Sequence, residues 1–411
     1  MATSATQPVF AQRNTAIDML RAITMFTMIF VNDFWKIHDV PHWLEHAAFA
    51  EDFMGLADVV FPCFLFAVGM SIPYAIERRY AKGLSAESTV GHILSRTLSL
   101  IVMGCFLGNS EARVGADAPY SIGVYWILMV VGIIGVWNLY PRPANALQRR
   151  LIIAARCLGG AILLYLIFTF RNTQGGVFSP HSSILGLIGW SYLVCAMTYF
   201  FCRNSIKRIA IAWSVFMLIS IANTPLRECY GGLPLLSLGD GHFYYGMLSL
   251  LHIGNGSLVA LTMSGMLLSL ISARLMQRSL QWKISRAAIT SVAFVLLGFI
   301  AHRFWIVGKI EATPVWVFYI IAISVMLYTV LHCLAEANIT AWFTPLRPAG
   351  TATLTCYLMP YLFYAASSIT GIVLPDVLTH GIIGIANCLC FSLVVITLTG
   401  ILQRLNIKLK V

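Results

Sequence analysis

FMGLADVVFPCFLFAVGMSIPYAI, residues 53–76, carries one charged side chain, Asp58, in twenty-four positions. Wound as a helix at about 1.5 Å per residue, such a run is long enough to cross the roughly 30 Å hydrocarbon core of a bilayer. Comparable runs lie near 16–36, 94–109, 119–139, 150–170, 182–201, 207–223, 246–272, 286–306, 314–334, 348–370 and 380–403. Lipid offers no partner for a backbone N–H or C=O, so each run satisfies its own as a helix. The expected fold is all-α: a polytopic transmembrane bundle of about twelve spans (ten to twelve). It reads as one domain over 1–411, with no internal repeat or low-complexity stretch.

The composition agrees. Of 411 residues, 59% are hydrophobic and 10% charged, against roughly a quarter charged in soluble domains, and the mean hydropathy is +0.81. The net charge of +11 does not point to nucleic acid, because the basic residues sit in short loops rather than in a tail or solvated domain. Arg78, Arg79 and Lys82 follow the second run; Arg142, Arg149 and Arg150 the fourth; Arg203, Lys207 and Arg208 the sixth. Arg274, Arg278, Lys283 and Arg286 follow the eighth, and Arg404, Lys408 and Lys410 close the chain. Every cluster thus falls after an even-numbered run, which with Arg13 puts both termini in the cytoplasm. The first residues lack the order of a cleaved signal peptide, so the first run is expected to remain as a helix. The ten cysteines are scattered through apolar stretches, with Cys388 and Cys390 an isolated pair, and read as reduced thiols rather than as ligands of a metal.

The opposite face has another character. Residues 37–52 read IHDVPHWLEHAAFAED, with His38, His42 and His46, Trp43, and the acids Asp39, Glu45, Glu51 and Asp52. Residues 224–245, rich in Gly, Pro and aromatics, form the longest expected outer loop, which reads as a lid, a binding wall or a solvated connector.

Charged groups at membrane depth are expensive and point to function or pairing. Asp18 and Arg21 share a helix face near the cytoplasmic end, where mutual pairing and snorkelling account for them. Asn32 lies about 16 Å beyond Arg21 on the same helix, with Asp33 and Trp35 next to it. Asp58 stands four residues before Pro62, whose missing donor leaves the Asp58 carbonyl without its helical partner. A carboxylate and a free carbonyl at one kink suit either a polar cavity or a hydrogen bond fixing two helices. Arg96 precedes the third span, and Gly104 and Gly108 have the spacing of close helix packing. His46 can exchange a proton near neutrality; a solvated loop histidine is the plainer account of it alone.

AIDMLRAITMFTMIFVNDF, then EHAAF, then LADVVFPCFLFAVGMSI, all between residues 16 and 72, resemble the opening of the heparan-α-glucosaminide N-acetyltransferase family and its bacterial relatives. SRTLSLIVMG, ILGLIGWSYLVCAMTYFF, KIEATPVWVFYIIAISVMLY and LRPAGTATLTCYLMPYL carry a weaker likeness onward. The loop between Asn32 and His46 is a few residues longer than in the family, and the runs near 119–170 resemble an added pair.

The resemblance implies an acyltransferase that takes acetyl from cytoplasmic acetyl-CoA and passes it to the amine of glucosamine or a related amino sugar on the other side. His46 would be the catalytic base or a transiently acetylated nucleophile, with Asn32 positioning substrate or polarising the thioester carbonyl and Asp58 lining the site. Arg21 and Arg96 would bind coenzyme A phosphates; Asp33, Trp35 and Trp43 would meet the sugar, beside the loops 37–52 and 224–245. No metal is implied, the partners are the sugar, coenzyme A and the bilayer, and a homodimer is compatible with the reading. A bacterial cytoplasmic (inner) membrane is the expected location. Two other classes fit the composition: a secondary transporter of a sugar or amino sugar, against which no inverted repeat is visible, and an acyltransferase that modifies a cell-envelope polysaccharide.

Overall fold

The structure is a computed structural model that describes residue 10 and residues 14–181, 183–226 and 254–411. Among these residues the chain folds as helices, with no strand beyond isolated bridges. In chain order they are α1 (Thr15–Asn32), α2 (Leu56–Ala81), α3 (Ala86–Glu111), α4 (Ile122–Trp137), α5 (Ala146–Thr169), α6 (Ile184–Cys202) and α7 (Ile206–Asn223). After them come α8 (Ser257–Arg274), α9 (Leu280–Ala301), α10 (Pro314–Glu336), α11 (Arg347–Thr351), α12 (Thr353–Thr370) and α13 (Gly381–Arg404). Ten of the described helices are long and apolar enough to cross a membrane, and the protein is multi-pass. A helix lies on each of the twelve stretches where the sequence predicts one; the stretch at 348–370 is broken at Ala352 into α11 and α12. Most of the expected loop at 224–245, the start of the eighth expected run and Arg13 lie outside the described residues.

The chain divides into two compact units. The first comprises Met1–Thr24, Pro41–Thr97 and Trp190–Thr344. Its centre is α2, which is apolar on every side and buried along most of its length, as expected of a helix with no solvated face. α2 packs on α8 and α10, α8 on α7, and α9 on α10. The α2–α8 crossing is close because both helices present glycine there: a Cβ on Gly69 would overlap the Thr262 carbonyl, and one on Gly265 the Phe66 carbonyl. Near the far end of α2, buried Glu77 accepts a hydrogen bond from the Tyr199 hydroxyl at 3.0 Å and from Arg203 at 3.5 Å.

The second unit comprises Met25–Val40, Leu98–Gly189 and Pro345–Val411. There α4 packs on α5 and α12, and α13 on α11 and α12. Gly132, Gly135 and Gly159 allow the α4–α5 backbones to approach. Gly104 and Gly108 have a different use from the helix packing their spacing predicts. The Gly104 carbonyl accepts from Ser183 N at 3.0 Å, and a Cβ on Gly108 would lie 2.8 Å from the His181 carbonyl. They seat the segment that leads into α6.

Candidate functional site

In the first unit the N-terminus of α2 and the loop before it form one hydrogen-bonded knot. The loop carbonyl of Glu45 passes so close to Gly55, the residue capping α2, that a Cβ there would overlap it. Asp58 is the third residue of the helix, where a carboxylate can reach back to unpaired backbone donors. Its Oδ2 accepts from Gly55 N at 3.2 Å and from Ala47 N at 2.9 Å. Its Oδ1 lies 2.8 Å from His46 Nδ1. Serving donors on both oxygens is the pattern of the ionised form.

The Asp58 side chain is 2% exposed and that of His46 48%. A buried carboxylate therefore holds one nitrogen of a half-exposed imidazole. With Nδ1–H donating to Asp58, Nε2 carries the lone pair and has no protein partner among the described residues. Asp58 thus sets both the tautomer and the direction of the ring.

A third group joins them from more than 250 positions along the chain. Lys309, between α9 and α10, places Nζ 3.0 Å from His46 Nδ1 and 3.6 Å from Asp58 Oδ1. One nitrogen cannot donate to Asp58 and accept from Lys309 at once. The shorter, charge-assisted contact to the carboxylate takes the imidazole proton, and the ammonium then neutralises the buried charge of Asp58. Burial pushes the Lys309 ammonium below its ordinary range, and Asp58 pulls it back up.

The Asp58 carbonyl, predicted to be free ahead of Pro62, is taken: the Trp316 indole N–H donates to it at 3.1 Å. The proline does remove the helical donor, but a buried carbonyl requires a substitute, and α10 supplies one. The kink is therefore a helix–helix joint and offers no open acceptor.

The loop carrying His46 is clamped on its other side too. Ala50 N donates to Glu311 at 2.6 Å, Asp52 accepts from Val307 N at 2.8 Å and contacts His302 at 2.8 Å, and Ala48 N donates to Glu51 at 2.7 Å. That last bond holds the exposed Glu51 carboxyl below its usual range. Trp43, in the same loop, is exposed.

The other sequence candidates are placed as follows. Arg21 is half-buried in α1. Arg96 is half-buried in α3, its guanidinium 4.6 Å from the Tyr192 ring centre. Asn32, Asp33 and Trp35 belong to the second unit. Asn32 is exposed at the end of α1, and Trp35 is exposed beyond it. Asp33 is buried, accepts from the Tyr364 hydroxyl at 3.0 Å and pairs with Lys36 at 3.0 Å. The Lys36 ammonium sits 4.0 Å from the Tyr364 ring centre and 5.2 Å from that of Trp35. Asp33 is thus already committed to a cation of its own chain.

Sequence reasoning brought His46 and Asp58 forward and missed Lys309 and Trp316. A signal for Lys309 was present: it follows the ninth run, on the side that the basic clusters otherwise avoid.

Residues 13–180 match the family described as heparan-alpha-glucosaminide N-acetyltransferase, catalytic. The matched stretch contains His46 and Asp58 and runs through α4 and α5, the pair that looked added. No curated protein matches the chain. The likeness thus covers residues 13–180, and the His46–Asp58 pair lies inside the stretch that is similar to the catalytic part of that family.

Proposed function

We propose that the protein transfers the acetyl group of acetyl-CoA to the amine of glucosamine or a related amino sugar across a membrane, with His46 as general base. The observation that carries this reading is the 2.8 Å bond between buried Asp58 and half-exposed His46, inside the stretch that matches the catalytic family.

An amino-sugar ammonium first releases one proton to solvent to become nucleophilic. A neutral imidazole with Nε2 open takes a proton from the attacking amine. The amine attacks the thioester carbonyl, the new C–N bond forms, and the tetrahedral oxyanion collapses with cleavage of the C–S bond. The thiolate of coenzyme A leaves and regains a proton from the imidazolium. Asp58 stabilises that imidazolium and keeps Nε2 pointed at the exchange. Lys309 balances the buried carboxylate, so the dyad carries less net negative charge while the proton moves.

The remaining roles rest on the family resemblance: Arg21 and Arg96 as partners of donor phosphates, and Trp43 on the acceptor. The pattern of basic clusters supports a cytoplasmic donor side and an acceptor side at residues 37–52.

The test is acetyl transfer by purified protein in liposomes, with labelled acetyl-CoA and glucosamine, beside His46→Ala. Labelled N-acetylglucosamine from the wild type alone is the expected result. Turnover retained by His46→Ala removes His46 from the chemistry. Uptake of unmodified glucosamine with no product replaces the reading with transport.

A further inference from the structure

A cavity lies wholly within the first unit, at the other end of α2 from His46. Tyr74, on its wall, is sixteen residues beyond Asp58 on the same helix, about 24 Å along the axis. The cavity has a volume of about 560 Å³, within the range of small-molecule sites. It is bounded by the start of α1, the last turns of α2, α8 and α10, and the first turns of α9.

Its chemistry is divided by wall. The α9 wall is cationic and aromatic: Lys283, Arg286 and Trp282 line it, with the Arg286 guanidinium 5.1 Å from the Trp282 ring centre. Lys283 is held by Glu336 at 3.2 Å, and the same carboxylate holds His332 at 3.1 Å. One acid therefore steadies two of the basic side chains, while Arg286 is stacked but has no carboxylate within ion-pair distance among the described residues. The α8 wall is mainly apolar, with Leu268, Ile271 and Ala273 beside one hydroxyl, Ser272, and Leu275 and Met276 extend it just past the helix end. On the far side Asn14 donates to the Tyr74 and Tyr328 hydroxyls at 3.0 and 3.3 Å.

A guanidinium and an ammonium three residues apart on one helix face, beside a flat ring and facing an apolar wall, match a phosphate joined to an apolar body. We infer that this cavity binds a phosphate-bearing amphiphile, its phosphate on Lys283 and Arg286 and its apolar portion along α8. Two sources present that chemistry: the nucleotide end of coenzyme A, and the headgroup of an anionic phospholipid. The inference does not depend on acetyl transfer, since a phospholipid satisfies it.

The test measures equilibrium binding to the full chain in neutral detergent, with no turnover required. The probes are coenzyme A and a short-chain phosphatidylglycerol, each beside its phosphate-free counterpart, pantetheine and a short-chain diacylglycerol. At least one phosphate-bearing probe is expected to bind, its counterpart is not, and Lys283→Gln with Arg286→Gln should weaken the binding about tenfold or more, with Arg286→Lys retaining part of it. Coenzyme A as the binder assigns the cavity to the acetyl donor; phosphatidylglycerol assigns it to lipid. If the double variant does not survive purification, Arg286→Gln alone carries the comparison. Binding of neither probe overturns the inference. So does an unchanged Kd in the variant, which leaves acetyl transfer standing with its donor site elsewhere.

Discussion

Two buried carboxylates on the same helix meet opposite fates. Asp58 and Glu77 stand nineteen residues apart on α2, about 28 Å along the axis, and both are buried. Glu77 is held by Tyr199, whose hydroxyl also contacts Asn204, and by Arg203, a guanidinium with no lone pair to take a proton. Asp58 is satisfied as fully, but one of its partners is a half-exposed imidazole with a second nitrogen open. Burial of a charge is thus common to a strut and to a site. What separates them is whether the last group in the hydrogen-bonded chain can still exchange a proton.

The comparison breaks most sharply at His46. His46→Ala should lower acetyl transfer by roughly 10²–10⁴-fold with the fold intact, measured as the initial rate of labelled product; a loss under tenfold would put His46 on the same footing as Tyr199. Asp58→Asn should reduce kcat by about a hundredfold or more, because the amide no longer fixes the tautomer. Glu77→Gln should leave kcat within about twofold and lower stability by about 1–3 kcal/mol, read as a drop in Tm. Should the Gln variant lose kcat as well, α2 has two functional ends.

Lys309→Met sharpens the same contrast, since it removes the cation beside Asp58 and leaves Arg203 on Glu77 in place. It should reduce kcat/KM by about tenfold. Because burial holds the Lys309 ammonium below its ordinary range, raising the pH neutralises it earlier than it would an exposed lysine. Wild-type activity should therefore fall on the alkaline side through that lowered range, and the Met variant should lack this limb of the pH profile. The smallest expected effect is at Trp316. Trp316→Phe orphans the Asp58 carbonyl at a stability loss of about 1–3 kcal/mol, with kcat changed by no more than a few-fold.

The helices were legible in the sequence because their determinant is local: a long apolar run has one solution in lipid. The break between α11 and α12 was not, because TATLTCYLMPYL carries its proline at 360, well past the break at Ala352. His46 and Asp58 were legible as a pair through the order and spacing of their motifs, twelve positions apart. Lys309 and Trp316 were hidden by distance along the chain. The carbonyl ahead of Pro62 shows how far local rules reach: they state that a donor is missing and cannot say which helix replaces it. Gly104 and Gly108 were read correctly as a close approach, but the partner is a chain segment ahead of α6, which spacing alone does not distinguish from a helix.

Gly55 gives the His46 loop a history as well as a place. Its missing side chain is occupied by the Glu45 backbone, so among descendants of this sequence position 55 has almost no freedom to drift. The rings of Trp43 and Phe49, in the same loop, stand in the open and are under no such constraint. A lineage built on this frame can remodel what it presents to an acceptor while the imidazole stays where it is, and divergence should accumulate at those rings long before it reaches the glycine.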